Sequence, residues 1–542
     1  MRKYYLLLIV LMGFGSVNAQ IINFPDANFK AKLLSADAFN SIAKNLAGNY
    51  FKIDANNNGQ IEVSEALQVR YLNVYNSSPY ITSMVGINNF INLEYLDCSD
   101  NIYSSLDVSS LVNLKTLYCR TNFLANLNIS GLIHLKDLNC ESGQLTSLNV
   151  AGLTSLEKLH CGLNEITAID VSSLVNLKEL GLSSNNLTTL DLTGLTNLIL
   201  LQCGFNNLTT LNLSNQNLLE SLSCTNNLFT SLNLSNLTQL KELYCNQNQL
   251  VSLDLSNSPL LENINAANNQ LTSINVTGLL NLYGLYVYSN QLSAINLAGL
   301  TNLTIFEGFN NVFQTLDFST LTSLLSFKVH NNQLTSLNIK NGKVELMSSI
   351  YGNPNLTYLC TEEETIEGLQ QDVAGLGYTC EVNSYCSFTP GGTFYTINGS
   401  NKLDTDNNGC DAADIVFPHL KLALTNGTIS GNMISDASGN YNYSIQAGTY
   451  TLAPLFENPT YFTATPATAS INFPATASTF TQNFCLTANA IHPDLEVVFI
   501  TLTPARPGFD ALYKIIYKNK GNITQSGSVT FTYNDALLDY VS

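Results

Sequence analysis

The sequence predicts a solenoid of short stacked parallel strands, followed by all-β domains. Two observations support this prediction: a 21-residue repeat runs through the middle of the chain, and the composition shifts toward Thr, Tyr, Ala and Pro after about residue 386. Steps of 21 from Asn101 to Asn353 give thirteen positions, of which twelve are Asn and one is Gly143. An unbroken period of this length indicates a repeat architecture, because each unit can bury its apolar face only against its neighbours.

Each repeat places apolar residues in a strand-like alternation, as at Leu243 and Cys245. An Asn follows at a fixed position of the repeat, as at Asn248. We expect this Asn to satisfy backbone groups at the bend. The second half, with Leu253 and Leu255, is too short for a long helix and predicts extended or 3₁₀ segments. The pattern L-x-x-L-x-(C/L)-x-x-N-x-L resembles the leucine-rich-repeat family. We therefore predict a solenoid with a C-terminal cap over residues 69–385.

Seven of the twelve cysteines share one position of the repeat. Other repeats carry Leu182, Ala266 or Val287 there, which indicates a small, buried, apolar site rather than a column of disulfides or metal ligands. Side chains in a ladder run parallel at about 4.8 Å, farther apart than a disulfide allows. The seven are Cys98, Cys119, Cys140, Cys161, Cys203, Cys224 and Cys245.

The other five cysteines follow the repeats. Cys360 and Cys380 flank a predicted helix over residues 361–374, and a disulfide between them would close the end of the solenoid. The pairing of Cys386, Cys410 and Cys485 cannot be read from sequence.

The N-terminus predicts export. Arg2 and Lys3 precede a short apolar run over residues 4–14, and the segment 17–19 has the small residues of a cleavage site, so residues 1–19 read as a signal peptide. We expect an extracellular or cell-surface protein without a membrane span. The formal net charge of −18 makes nucleic acid an unsuitable partner, because phosphate backbones repel an acidic chain.

Residues 20–68 lack the repeat and predict a helical N-terminal cap, with a helix beginning after Asp26. Within the cap, a twelve-residue segment resembles the calcium loop of the EF-hand family, with Gly59 at its sharp turn and Ile61 pointing inward. The alternative is an ordinary Asn/Gly-rich turn, but every diagnostic position fits. We predict a structural calcium site. Its expected ligands are Asp54, Asn56, Asn58, the Gln60 carbonyl and Glu65.

Residues 386–487 resemble the B-type domains of serine-aspartate surface adhesins, which are small β-sandwiches with a calcium loop near the N-terminus. The resemblance rests on the acidic run over residues 402–414 and the alternating segments after it. The loop is one residue shorter than the family pattern before Asp414, and a plain acidic turn is the alternative. The ligands that the resemblance implies are Asp404, Asp406, Asn408, the Cys410 carbonyl, Asp411 and Asp414.

Residues 488–542 predict the start of a further β-sandwich, with strands over residues 495–501, 511–518 and 529–533. About 50 residues supply roughly half of such a domain. We therefore expect the sequence to be a fragment or a truncated reading frame.

No catalytic arrangement is evident in the sequence. The five histidines lack partners at metal-binding or nucleophile spacing, and carboxylates such as Asp137 and Glu141 read as a solvated strand face rather than as a glycosidase pair. We instead expect a binding site on the concave sheet face, where late repeats expose aromatic residues beside polar ones. These candidate residues are Tyr244, Tyr286, Tyr288, Glu307, Phe309, Lys328 and His330. A weaker candidate set on early repeats comprises Tyr95, Tyr118, Arg120 and His160.

These observations favour a non-enzymatic adhesion or recognition protein that binds a protein or glycan. The alternatives are a purely structural surface or matrix component and a non-catalytic accessory region of a larger secreted hydrolase. The sequence does not identify the ligand or the oligomeric state.

Overall fold

The computed structural model describes residues 20–386, 394–503, 511–530 and 532, and the predicted signal peptide lies outside them. The chain divides into two compact units, the first ending at Asn311 and the second beginning at Val312. This boundary lies inside the predicted solenoid, and each unit is described separately below.

The first unit is built on one long sheet of parallel strands. Most strands are three residues long, and each pairs with the strand one repeat later, so that Leu222 lies opposite Leu243 and Leu243 opposite Ile264. In most of the three-residue strands the central residue is buried and its two neighbours are more exposed; the flanking Gly181 and Gly284 are buried as well. The parallel strands are Val69–Asn73, Tyr95–Asp97, Thr116–Tyr118, Asp137–Asn139, Lys158–His160, Glu179–Gly181, Leu200–Gln202, Ser221–Ser223, Glu242–Tyr244, Asn263–Asn265, Gly284–Tyr286 and Ile305–Glu307.

The repeated Asn forms a buried spine beside this sheet. The side-chain amide of Asn185 donates to the carbonyls of Cys161 and Leu182 at 3.1 and 3.0 Å, and its Oδ1 accepts from the N–H of Ile166 at 2.9 Å. The spine therefore satisfies backbone groups of two successive turns, as predicted. At the exception, Gly143, an added Cβ would lie 2.7 Å from Oδ1 of Asn164, so the next spine residue already occupies that space.

The cysteine ladder is buried and unbridged. All seven thiols are free and at most 1% exposed, which confirms the prediction of a buried apolar column. Burial raises the pKa of Cys203 and of Cys245 to about 12, so these thiols stay protonated and unreactive at neutral pH.

The segment before the first parallel strand contains more than helix. The helix Ala27–Leu34 begins after Asp26, whose side chain accepts the N–H of Phe29 at 2.8 Å, and a second helix is Val63–Ala66. A short strand, Ala43–Asn45, pairs antiparallel with Val69–Asn73. Sequence reasoning missed this strand because Ala-Lys-Asn carries no strand pattern.

The half of each repeat opposite the sheet is mostly turns, with one pair of short parallel strands, Ser105–Asp107 and Asn126–Asn128, and a 3₁₀ turn at Ile87–Asn89. This agrees with the expectation of extended or 3₁₀ segments. The side chain at the repeated Asp or Asn position accepts the N–H two residues on, as between Asp170 and Ser172 at 3.0 Å.

The second unit begins with further repeats. Ser326–Lys328 pairs parallel with Met347–Ser349. A separate four-stranded parallel sheet contains, between its third and fourth strands, the 3₁₀ turn Glu363–Thr365 and the helix Ile366–Gly375. The strands of that sheet, in order, are Thr315–Asp317, Ser336–Asn338, Tyr358–Cys360 and Glu381–Asn383.

Two β-sheets that share one apolar core follow. The core includes Ile397, Leu422, Tyr443 and Leu452, all of which are fully buried. The first sheet contains Tyr395–Asp404, Ile415–Val416, Asn440–Ile445, Phe462–Thr465, Thr479–Thr481 and Phe484–Ala488, and the second contains Lys421–Thr425, Ser430–Ile434, Gly448–Leu455 and Ala469–Phe473.

The disulfides correct one expectation. Cys360 is bonded to Cys386 and not to Cys380, which remains free, and Cys410 is bonded to Cys485. The strand register explains the error. In the strand Glu381–Asn383, the last residue, Asn383, lies opposite Cys360, so Cys386, which follows the strand, is near Cys360. Cys380 precedes the strand and lies at its opposite end.

The last described strands are Leu495–Thr501 and Tyr513–Asn519, which form an antiparallel pair. The strand predicted over residues 529–533 is wrong at Val529 and Thr530, which do not belong to a strand, and residues 531 and 533 lie outside the described residues. Among the helices in the described ranges, none is long and apolar enough to cross a membrane.

Candidate functional site

The outward side chains of the parallel strands in the first unit form a surface that we call the sheet face. Strand register places Tyr244, Asn265, Tyr286 and Glu307 in one row, each opposite the next. These residues are partly exposed. The row results from the alternation of each strand, which buries the central Leu, Ile or Phe and turns its flanking residues outward.

A second aromatic row lies just beyond the strand ends. The rings of Tyr288 and Phe309 are stacked, with centroids 4.4 Å apart and planes 6° from parallel. Both residues follow the ladder position, and both are partly exposed. Five of the seven predicted ligand-binding residues thus lie on, or just beyond, the last four strands of the first unit.

Two neighbours of this cluster escaped the sequence prediction. The amide of Asn263 lies 3.4 Å from the hydroxyl of Tyr244 and 3.3 Å from that of Tyr283, which is 40% exposed. Burial, with a smaller contribution from Glu242, raises the pKa of Tyr244, so its hydroxyl remains a hydrogen-bond donor well above neutral pH. The contact between Tyr283 and Asn263 could not be predicted from sequence, because the two residues occupy different positions of the repeat.

The other two predicted residues, Lys328 and His330, lie in the second unit. The His330 ring stacks on Tyr351 with centroids 4.4 Å apart, and its Nδ1 is 3.0 Å from the hydroxyl of Ser349. Lys328 ends the strand Ser326–Lys328 and is partly exposed. Tyr351, half exposed, was not predicted.

The early end of the sheet face is also aromatic. Tyr71 stacks on Tyr95 at 4.5 Å, and Tyr118 meets Tyr95 edge to face at 5.8 Å. Lys44 places its ammonium group 5.0 Å from the ring centre of Tyr71. The sequence indicated Tyr95 and Tyr118 but not Tyr71 or Lys44, since Lys44 belongs to the unpredicted strand. His160, from the same weaker set, lies two strands beyond Tyr118 and is 3.5 Å from Glu179.

The EF-hand-like loop folds around its predicted oxygen donors. The carboxylate of Asp54 accepts the N–H groups of Asn58 and Gly59, and Oδ1 of Asn58 accepts that of Gln60 at 2.8 Å. Oδ1 of Asn56 also accepts the Asn58 N–H, at 3.0 Å. Gly59 has a positive φ of 75°, as the sharp turn requires.

Two glutamates complete this loop. Glu65 accepts the N–H of Ala55 at 2.8 Å and forms a reciprocal capping box with Glu62. Glu62, which was not predicted, receives the side-chain amides of Asn56 and Asn58 at 3.1 and 2.7 Å. Hydrogen bonding from Glu65 and Asn58 lowers the pKa of Glu62, whereas burial raises that of Glu65. Three carboxylates and two amide oxygens on one loop are a donor set that suits calcium.

The acidic loop of the second unit brings three predicted ligands together. Carboxylate oxygens of Asp404, Asp406 and Asp414 all lie within 4.8 Å of one another. Hydrogen bonds from the N–H groups of Thr405 and Asp411, both at 2.9 Å, lower the pKa of Asp414 and hold it ionised. The one-residue shortening therefore does not remove Asp414 from the cluster.

The remaining predicted ligands surround this cluster less closely. The amide of Asn408 donates to Oδ2 of Asp406 at 2.8 Å, and Asp411 turns its Oδ1 to the N–H of Ala413 at 2.7 Å. Cys410 is held by its disulfide to Cys485. Hard oxygen donors of this kind also suit calcium. The hydrogen bonds to the three carboxylates come from backbone N–H groups, the Asn408 amide and the Thr405 hydroxyl.

Solved structures with a similar fold include bacterial leucine-rich-repeat proteins. The functional domain of InlJ from Listeria monocytogenes, described as including a cysteine ladder, is 24% identical; the match covers 87% of this chain and 98% of that one, with a TM-score of 0.54. The fold is a leucine-rich-repeat solenoid. An internalin, InlF, from the same species matches this solenoid over 64% of the chain and 93% of its own length, at 23% identity and a TM-score of 0.47.

A leucine-rich-repeat protein of Leptospira interrogans is 24% identical over 55% of the chain and 79% of its own, with a TM-score of 0.42. At 24% identity, the likeness to the InlJ domain establishes the solenoid fold alone. No protein-family model and no curated protein matches the chain.

Proposed function

We propose that the chain is a non-enzymatic binding protein, secreted or held at the cell surface, whose solenoid recognises a protein ligand on its sheet face. The observation that carries this proposal is the cluster of partly exposed aromatic side chains at Tyr244, Tyr286, Tyr288 and Phe309. Aromatic residues beside polar ones provide large contact areas and hydrogen-bonding groups together, which is typical of interface centres. The fold of the internalin InlJ supports the proposal at the level of architecture.

A protein ligand fits this cluster better than a glycan. Tyr288 and Phe309 cover each other face to face, so each has one ring face fewer on which a sugar could stack. The partly exposed Tyr244 and Glu307 add a hydroxyl and a carboxylate to this surface, a mixture that suits the side chains of a protein partner. A glycan remains the alternative ligand.

The first prediction tests this surface. Replacing Tyr286, Tyr288 and Phe309 together by Ala should weaken ligand binding by about 100-fold, because a few buried aromatic anchors dominate interface energies. Binding would be measured on printed arrays of purified extracellular proteins and of glycans, followed by surface plasmon resonance on each hit. The matched control replaces Thr188, Thr209 and Thr230, three exposed residues on the opposite half of the repeats, by Ala.

The arrays separate the competing functions. Protein hits that are lost in the aromatic variant and kept in the control support the proposal, and glycan hits with the same behaviour support the alternative ligand. Hits that survive in the aromatic variant remove the cluster from the account. Blank arrays favour a structural spacer or an accessory region of a larger secreted hydrolase.

We also propose that both loops bind calcium as a structural ion, in the first unit through Asp54, Asn56, Asn58, the Gln60 carbonyl and Glu65, with Glu62 at the ninth loop position. In the second unit the ligands are Asp404, Asp406, Asn408, the Cys410 carbonyl, Asp411 and Asp414. The convergence of three carboxylates in the second loop supports its assignment most directly. The helical cap and β-sandwich predicted around these loops belong to the same proposal.

The second prediction concerns calcium removal. A chelator should lower the melting temperature by several degrees, because an ion at about 100 times its dissociation constant stabilises the folded state by about 2.7 kcal/mol. Calorimetric titration should find two sites in the wild type, and Asp404→Asn and Glu65→Gln should each remove one. Asp436→Asn, at an exposed turn outside both loops, is the matched control. Unfolding curves that coincide with calcium and with chelator would contradict both sites.

A further inference from the structure

The early end of the sheet face combines stacked tyrosines with carboxylates. Tyr71, Tyr95 and Tyr118 lie on three successive strands, with ring centroids 4.5 and 5.8 Å apart from one to the next. Asp97 lies opposite Tyr118, and Asp137 is on the following strand. All five are partly exposed. Together with Glu141 they form what we call the acidic tyrosine patch.

The carboxylates of this patch form no close ion pair among the described residues. On an adjacent row of the same unit, charges cancel in pairs, as where Glu157 lies 2.9 Å from Lys136 and 2.8 Å from Lys178. No such ion pair within 4 Å involves Asp97, Asp137 or Glu141 in the described part of the chain. Their hydrogen bonds come from neutral donors instead.

Those donors leave the negative charge in place. The Tyr118 hydroxyl donates to Asp137 at 2.7 Å, the amide of Asn139 donates to Glu141 at 3.2 Å, and Asp97 accepts a backbone N–H. Burial and the charges of Asp137 and Asp97 raise the pKa of Tyr118 to about 12, which is consistent with a negative local potential. The patch is bordered by the exposed Arg120 and by Lys158, which lies opposite Asp137 and is paired with Glu179 at 2.6 Å.

A lysine of this chain already makes a cation–π contact with one of the tyrosines of the patch. The ammonium group of Lys44 lies 4.7 Å from the ring centre of Tyr50 and 5.0 Å from that of Tyr71. This is the geometry of a cation–π contact. The faces that Tyr71 and Tyr95 turn to each other are closed to a further ligand. A cation from a partner would therefore meet the partly exposed carboxylates of Asp97 and Asp137.

We propose that the acidic tyrosine patch binds a lysine- or arginine-rich segment of a protein partner. The inference rests on the proposed function of protein recognition and adds the partner's chemistry. Asp97 and Asp137 lie two strands apart and two residues apart along the strand direction, about 12 Å at ordinary spacings, and residues two and four apart in an extended peptide are separated by about 7 and 14 Å. Lysines at alternate positions of an extended segment can therefore meet both carboxylates with their flexible side chains.

The test uses a fluorescein-labelled peptide of alternating Lys and Ser, and a matched peptide with Glu in place of Lys, titrated into the full chain. We expect the basic peptide alone to bind, with an affinity that falls as salt rises. Asp97→Asn combined with Asp137→Asn should weaken binding about tenfold. Asn occupies the equivalent positions at Asn139 and Asn263, so these substitutions suit the fold.

The control removes the same charge elsewhere in the first unit. Asp170→Asn combined with Asp191→Asn changes two exposed turn residues whose equivalents, Asn149 and Asn212, make the same turn bond. It should leave the affinity within about twofold if binding is local, since distant exposed charges are screened. Equal losses in both variants, or no binding of the basic peptide, overturn the inference. Neither result touches the Tyr286, Tyr288 and Phe309 cluster, whose own ligand test decides the proposed function.

Discussion

Replacing Asn206 by Ala should lower the free energy of unfolding of the first unit by at least about 3 kcal/mol, because each buried polar group left without a partner costs about 1–3 kcal/mol. The Asn206 amide donates to the carbonyls of Leu182, Cys203 and Gly204 at 3.0–3.2 Å, and Oδ1 accepts the N–H of Leu187 at 2.9 Å. The side chain is 8% exposed, so water cannot replace these bonds freely. Urea unfolding followed by circular dichroism measures the loss.

The adjacent Asn207 provides the control. Its side chain is exposed, and Asn207→Ala should change the unfolding free energy by no more than about 0.5 kcal/mol. If the two variants lost equal stability, the buried hydrogen bonds of the spine would have no special role. The loss would then reflect only the preference of Asn for the turn conformation.

Replacing Glu381 by Gln should stabilise the second unit near pH 8 and leave it unchanged near pH 4.5. The Glu381 carboxylate is enclosed by Asn383, Asn442 and Ser444, and accepts the Ser444 hydroxyl at 2.8 Å and the Asn383 amide at 2.7 Å. Burial outweighs these bonds and raises the pKa of Glu381 to about 7. The folded state therefore holds its proton more tightly than the unfolded state does.

The sign of the effect follows from this difference. As pH rises from about 4.5 to about 7, the wild type must ionise an enclosed carboxyl, and its stability falls by about 1–3 kcal/mol over that window before levelling off. Gln cannot ionise, so the fall disappears. The measurement is urea unfolding across this pH range.

Glu364→Gln, on an exposed part of the 3₁₀ turn, is the control and should follow the wild type. A Glu381→Gln profile parallel to that of the wild type would show that this carboxyl does not govern the pH dependence.

The repeating part of the fold was predictable because every 21-residue repeat, or rung, has the same pattern of buried positions. The 21-residue spacing of residues such as Asn185 and Asn206, and of Cys203 and Cys224, specifies both the spine and the ladder without any long-range information. The opposite held for the disulfide of Cys360, whose partner depends on the register of the strand Glu381–Asn383. The spacing of the cysteines in the sequence favoured Cys380 as the partner of Cys360, because the strand register cannot be predicted from spacing.

The candidate sites were predictable in the same uneven way. Alternation along a strand identifies the outward residues Tyr286 and Glu307, since neighbouring rungs align them. Contacts that cross columns, such as Tyr283 with Asn263, require coordinates. So does the approach of Lys44 to Tyr71, because the cap strand has no pattern that predicts it.

The claim on which the account depends is that one 21-residue repeat is one interchangeable rung of a continuous stack. Deleting residues 206–226 removes one full rung and joins equivalent positions, whereas deleting residues 206–215 shifts every later rung out of register. Thermal unfolding by circular dichroism tests this directly: the full-rung deletion should melt cooperatively within about 5 °C of the wild type, and the half-rung deletion should not fold. If the full-rung deletion proved as disordered as the half-rung deletion, the stacked-rung account would be contradicted.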